Sequence, residues 1–281
     1  MKLISPSLSG YSAPLRLAIF VLTLLALWTP LALPIYWRVS DPNWQSILTM
    51  PILYGEFIFL VKFWGKEVYQ EPQILKCYGL EFTKRNGQDL LKGLSFGLIT
   101  VMSLLLLEGG LGWLTWQLPD PSSLPRIILE GCLISLGVGF AEELLFRGWL
   151  LNELQRDYSP TPSLWADAAI FATLHYIKPV EEMLKNLPAF PGLLLLGLTL
   201  VWAKRSCQGR LGLPMGFHGG LVWGYYIINT GQLVVYSHQV SDWLTGISKN
   251  PIAGIMGILL LGIIAVFMRR GAIAADSRWS E

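Results

Sequence analysis

Arg126-IILEGCLISLGVGFAEELLFRGWLL-Asn152 is the stretch whose reading decides the fold. Its first half is apolar and compatible with a helix. At about 1.5 Å per residue the whole stretch is long enough to cross the hydrocarbon core of a bilayer. Glu142, Glu143 and Arg147 then fall within six residues. A charge near the bilayer centre costs at least about 2.5–3.5 kcal/mol. Two adjacent carboxylates and a guanidinium at that depth must face a protein interior or a wet cavity, which makes them functional candidates.

The rest of the chain supports a membrane setting. Of its 281 residues 53% are hydrophobic and 14% charged, where a soluble domain carries about 25% charged residues. The formal net charge is +2 and no block of like charge stands out, so nothing points to nucleic acid. Cys77, Cys132 and Cys207 are scattered and form neither a disulfide framework nor a sulfur metal site.

Working outward, eight apolar segments read as spans, at about 15–37, 46–65, 91–117, 126–152, 163–179, 189–204, 211–230 and 251–268. The first lacks a small-residue cleavage site and reads as a retained anchor. The loop from Gly65 to Leu90 is the longest and is charged. With an even number of spans and the N-terminus inside, Lys and Arg sort sixteen to the inside and five to the outside, which places both termini in the cytoplasm. Trp37, Trp64, Trp116, Trp149, Trp165, Trp202 and Trp243 lie near span ends, as interfacial aromatics do. The expected fold is an all-α integral membrane bundle of about eight transmembrane helices around a membrane-embedded polar cavity. Its parts are N-terminal helices with a charged loop (1–125), a helical core that carries the ionisable cluster (126–268) and a cytoplasmic tail (269–281).

The chain has three histidines, and two of them, His175 and His218, fall inside spans. Helical rise puts Glu142 about 15 Å, His175 about 18 Å and His218 about 10 Å from the same face of the membrane. The depths follow from a topology set by Lys and Arg, so their agreement is a separate check. Glu143 and Arg147 are four apart and share a helix face, while Glu142 points elsewhere. Two carboxylates in two environments is how a site separates an orienting group from a base. Glu142 beside a histidine can activate a water. Glu142, His175 and His218 can equally hold a zinc ion with an open water position. The residues alone leave both readings standing.

The pattern Glu142-Glu143-xxx-Arg147, then Phe171-xxx-His175, then His218 in a later span, resembles the CAAX protease and bacteriocin-processing family of intramembrane proteases (CPBP, also called Abi). The motifs occur in that family's order over about 126–230, and Asn250-Pro251-Ile-Ala-Gly254 is similar to its last span. The resemblance implies an intramembrane endopeptidase with a cavity open to the cytosol. It implies a water activated by Glu142 and His175, with Glu143 and Arg147 shaping the site and His218 stabilising the oxyanion. Zinc is an optional cofactor under this reading. The partners implied are the lipid bilayer and a peptide or membrane-protein substrate, in a bacterial inner membrane or another internal membrane.

One position departs from that pattern. Asn or Asp commonly follows the third-motif histidine by four residues, and here the residue is Val222. Asn229, about 16 Å further along, does not fill the gap. This leaves a slower protease, a protease that takes its donor from elsewhere (Trp223 being one source), or a non-catalytic membrane scaffold or chaperone. A transporter using the same groups as a proton relay is a further rival, although no inverted repeat is visible. Blander readings apply to other residues. Phe171 packs under His175, and the glycines around His218 mark close helix packing. Glu56, Glu108 and Glu130 are structural, His238 is solvated, and Gly93-Leu-Ser95-Phe-Gly97 matches a serine-hydrolase pattern by chance.

Overall fold

The computed structural model describes residues 6–277 except residue 178. Lys2, Lys178 and Arg278, which entered the charge count, lie outside the described residues. The protein is a helical bundle. Helices α1 (Ala13–Arg38) and α2 (Pro42–Glu67) form an antiparallel pair, turned by Asp41, whose carboxylate accepts from the Trp44 N–H at 3.0 Å. Helix α3 (Lys84–Gly110) follows, then α4 (Leu124–Glu143). α4 runs without a break into a π-helical segment (Leu144–Leu150) and on into α5 (Leu151–Gln155). Next come α6 (Pro160–Leu174), the short α7 (Val180–Asn186), α8 (Phe190–Ser206), α9 (Gly212–Thr230) and α10 (Ile255–Ser277). Two three-residue strands, β1 (Leu114–Trp116) and β2 (Val234–Tyr236), pair antiparallel between the loops that follow α3 and α9.

Six helical stretches are long and apolar enough to cross a membrane by length and composition: Ala13–Arg38, Pro42–Glu67, Lys84–Gly110, Leu124–Gln155, Val180–Ser206 and Ile255–Ser277. α6 and α9 are not among them. α6 has 15 residues, about 22 Å of helix against a hydrocarbon core of about 30 Å. α9 is rich in glycine and carries His218, but it is wrapped by α3, α4 and α8 rather than by lipid, so it needs no lipid-grade surface.

Glycine sets the packing of α9. Gly212, Gly216, Gly220 and Gly224 recur every fourth residue and form one bare face. A Cβ on Gly216 would overlap the Leu90 carbonyl oxygen, and one on Gly220 that of Leu94. From the other side, Gly93 and Gly97 of α3 lie against the Leu213 and Phe217 carbonyls. This is backbone-to-backbone contact of the small-xxx-small kind. The serine-hydrolase-like glycines are therefore helix-packing residues. A third contact, Gly139 of α4 on the Met215 carbonyl and Gly219 on Ser135, locks α4 to the opposite side of α9.

Several sequence-based boundaries shift. The third span, expected at 91–117, begins at Lys84 because the Thr83 hydroxyl caps the helix by accepting from the Asn86 N–H, and its charged first turns lie beyond the apolar stretch. It ends at Gly110, before the left-handed Gly112 (φ 77), so residues 114–116 are strand. The charged loop shortens accordingly and holds a helical turn at Ile74–Cys77. The fifth span stops at Leu174, with His175 as its cap. The eighth starts at Ile255, because Pro251–Ala253 is a 3₁₀ turn.

Candidate active site

α4, α6 and α9 bring the polar groups of three helices to one place. Glu142 Oε2 lies 3.7 Å from His175 Nε2 and 3.9 Å from His218 Nε2. Glu143 Oε1 accepts from His218 Nδ1 at 2.9 Å and from Arg147 Nη1 at 3.0 Å. Arg147 Nη2 donates to the Gly197 carbonyl at 3.1 Å, and its Nε stands 3.5 Å from Asp167 Oδ2. The guanidinium carbon sits 4.3 Å from the centre of the Phe171 ring, a cation–π contact in a dry environment. Phe171 also packs edge-on against His175 and His218, with ring centroids at 4.5 and 6.0 Å. One aromatic ring thus positions both imidazoles and the arginine. All five site residues expected from the sequence converge.

The two carboxylates have the distinct surroundings expected of them. Glu143, Arg147 and Asp167 are fully buried, whereas the Glu142 side chain keeps 26% of its exposure and His175 keeps 31%. The hydrogen bonds also fix the imidazole tautomers. His175 Nδ1 is 2.7 Å from the Phe171 carbonyl, which can only accept, so Nδ1 carries the proton and Nε2 offers a lone pair. His218 Nδ1 likewise donates to Glu143. With both imidazoles neutral, Glu142 Oε2, His175 Nε2 and His218 Nε2 face one another as acceptors. Glu142 Oε2 makes no hydrogen bond among the described residues. Such a trio asks for a molecule that brings protons, or for a cation.

A zinc ion is the sharper form of the second option. Two ligands of one tetrahedral zinc lie about 3.3 Å apart at their donor atoms, closer than the 3.7 and 3.9 Å seen here. Among the described residues no three His, Cys, Asp or Glu side chains are placed to hold a metal ion. The donor types suit zinc, but the spacing is about 0.4–0.6 Å wider than one tetrahedral ion spans.

The π-helical segment explains how the sequence builds this corner. After Glu143 the helix widens by one residue per turn, and Leu151 N–H bonds to the Phe146 carbonyl five residues back. Widening exposes carbonyls that an α-helix would satisfy. Lys204 Nζ, buried on α8, donates to the Arg147 carbonyl at 2.6 Å, and Asn152 Nδ2 donates to that of Gly148 at 2.5 Å.

Sequence reasoning passed over Asp167 and Lys204. A signal for Asp167 was present: Asp167, Phe171 and His175 are spaced by four and lie on one face of α6. Lys204 reads as an ordinary interfacial cation at the end of a span, and nothing local reveals its partner.

The exposed edge of the trio opens on a cavity of about 360 Å³ walled by His175, His218, Leu193, Val222, Tyr225 and Asn250. His175, Tyr176, Asn186 and Ala189 around α7, and Asn250, Pro251 and Ile252 before α10, line it, and non-helical backbone at membrane depth is tolerated where it borders a cavity. Val222 is on this wall, as its spacing from His218 required. Trp223 is not the missing donor, because its Nε1 already donates to the Ile128 carbonyl at 2.9 Å. Asn229 borders a separate, more polar pocket of about 280 Å³ beside Gln117, Gln232 and Lys249. Away from the site, Glu130 pairs with Arg126 at 2.6 Å, and Glu108 is buried beside Tyr236 of β2. His238 is exposed near Asp242.

Residues 124–244 match a family model described as Rce1-like, type II CAAX prenyl endopeptidase. The matched region contains Glu142, Glu143, Arg147, His175 and His218, and the family is the CAAX protease family named by the motifs. No curated protein and no solved structure matches the chain.

Proposed function

We propose that this chain, with its CAAX-protease-like core set in an apolar helical bundle, is an intramembrane endopeptidase that uses a water activated by Glu142 and His175. The observation that carries the reading is the trio beside the cavity: a carboxylate oxygen 3.7 and 3.9 Å from the Nε2 atoms of two histidines. A water held between Glu142 Oε2 and His175 Nε2 donates to both. As it adds to a substrate carbonyl, Glu142 takes its proton and later passes it to the departing amine nitrogen. Glu143 and Arg147 do no bond-making. Glu143 holds the Nδ1 proton of His218, and Arg147 with Asp167 and Gly197 holds Glu143. His218 donates to the developing oxyanion through Nε2 only when both its nitrogens carry protons.

The substrates are membrane-associated peptides or the tails of membrane proteins. The description of the matched family favours C-terminal tails bearing a prenylated cysteine. The cavity is largely apolar, in keeping with a lipid-modified chain that enters from the bilayer. The test is cleavage of a fluorescence-quenched peptide with a farnesylated cysteine, by full-length protein in proteoliposomes. Glu142→Gln and His175→Ala should each abolish turnover while leaving the melting temperature unchanged. Turnover retained by both variants would sink the proposal.

Val222 favours a second reading, a non-catalytic family member that holds other membrane proteins. It predicts a partner that co-purifies equally with wild type and Glu142→Gln, and no proteolysis by either.

A further inference from the structure

The wall that carries Val222 has no donor on α9 at the position nearest His218. Across the same cavity lies Asn250. It sits between two 3₁₀ turns, Ile247–Lys249 and Pro251–Ala253. Its side-chain oxygen accepts from the Ile252 N–H at 3.3 Å, which leaves the Nδ2 hydrogens without a partner among the described residues. Its main chain is fully used: the N–H donates to Ile247 at 3.1 Å and the carbonyl accepts from Ala253 at 2.9 Å.

This turn is held from three sides by bare glycines. A Cβ on Gly192 of α8 would overlap the Ile252 carbonyl, one on Gly257 of α10 the Pro251 carbonyl, and one on Gly246 the Asn250 carbonyl. Gly246 at φ 132 and Lys249 at φ 59 occupy backbone regions that L side chains rarely adopt. A conformation of this kind persists only where its surroundings impose it, and such residues cluster at functional sites. The turn is therefore a rigid mount, and it presents the Asn250 amide NH₂ without a partner among the described residues.

We propose that Asn250 supplies the hydrogen bond that Val222 cannot, with Nδ2 donating to the carbonyl oxygen of the scissile peptide bond. The inference rests on the endopeptidase reading. Water gives a proton to Glu142 and its oxygen bonds to the carbonyl carbon. The carbonyl π pair moves onto oxygen, where Asn250 Nδ2 donates to it, joined by His218 Nε2 when both imidazole nitrogens carry protons. On collapse the C=O re-forms, the C–N bond breaks, and the amine leaves with the proton from Glu142. Tyr225 is the rival donor on this wall. It is seven residues beyond His218, about 10 Å along α9, and borders both the histidine cavity and the polar pocket next to it.

The test compares Asn250→Ala, Asn250→Asp and Asn250→Ala/Val222→Asn with wild type, in proteoliposomes with the quenched farnesylated peptide. Asn250→Asp keeps the oxygen that caps Ile252 and removes the donor, which separates chemistry from folding. Losing one oxyanion donor lowers kcat by about 10²–10³, and KM should stay nearly constant. Val222→Asn should recover at least about tenfold of that loss, since it restores a donor from the opposite wall. Wild-type kcat in both Asn250 single variants, with Glu142→Gln inactive, overturns the donor and leaves the endopeptidase standing. A loss in Tyr225→Phe without a loss in Asn250→Asp assigns the role to Tyr225 and also overturns it. Cleavage that survives Glu142→Gln, or no cleavage by wild type, overturns the endopeptidase reading and this inference together.

Discussion

Two buried clusters of charge among the described residues differ in what is left unpaired. In the first, Arg16 of α1 reaches Glu153 of α5 at 3.2 Å and Asp157 at 3.1 Å. Arg16 also donates to the Tyr11 carbonyl. Tyr69 donates to Glu153 at 2.6 Å, and Arg156 lies over the Tyr69 ring at 3.4 Å. Asp157 accepts from the Ala13 N–H at 2.5 Å. Every group there faces an opposite partner, and the cluster ties α1 and the loop after α2 to the end of α5. In the second, Glu143, Arg147, Asp167 and His218 partner one another, but Glu142 Oε2 has no hydrogen bond among the described residues and lies beside His175 and His218, which wall a cavity. Buried charge alone therefore marks structure as readily as chemistry. The mark of a site is an acceptor left over at the edge of a space.

The sharpest way to break that distinction is to neutralise one carboxylate in each cluster. Glu142→Gln should remove the general base, worth about 10²–10⁴ in rate, with the melting temperature preserved. Glu153→Gln should do the opposite. It weakens a charged hydrogen bond, which typically contributes about 1.5–3 kcal/mol, and leaves kcat alone. Crossed readouts, with Glu153→Gln inactive and Glu142→Gln unstable, would dissolve the contrast.

Arg147 tests the layer behind the site. Arg147→Leu leaves Glu143 and Asp167 buried and without their cation. Removing one partner of a buried pair costs about 3–5 kcal/mol. Thermal unfolding in detergent should show that loss. Turnover should fall with it, because Glu143 then has no anchor from which to hold His218. A stable, active Arg147→Leu protein would show that Lys204 alone neutralises the cluster.

How much of this was legible in the sequence follows from range. The apolar runs, and the energetic oddity of Glu142, Glu143 and Arg147 inside one of them, are local. So is the spacing that places His175 and His218 at matching depth. Those features point to a helical bundle and to the five residues that the structure brings together. The π-helical turn was hidden because Leu144–Leu150 is ordinary helix-forming sequence, and its widening is stabilised from outside by Lys204 and Asn152. Asn250 was hidden for a related reason. A residue on an irregular turn has no periodicity to give its direction, and this turn is shaped by Gly192 and Gly257 on helices far from it in the chain. The packing role of the α3 glycines was hidden too, because their partner face on α9 lies more than a hundred residues away in the chain.

The smallest effect comes from Tyr69, in the loop that closes the structural cluster. Burial, and then the nearby Glu153 carboxylate, push its hydroxyl up to about 12, from an ordinary value of about 10. The folded state thus holds this proton more tightly than the unfolded chain does. The stabilisation is complete below about pH 10 and is lost as the pH rises from about 10 to 12. Tyr69→Phe removes the bond to Glu153 and the titration together. Its melting temperature should be lower than that of wild type at neutral pH, and the gap should narrow between pH 10 and 12. Parallel melting curves across that interval would mean that Tyr69 ionises freely and does not help to hold Glu153. The first cluster would then contain an unengaged group, as the second does, and the contrast between them would rest on the cavity alone.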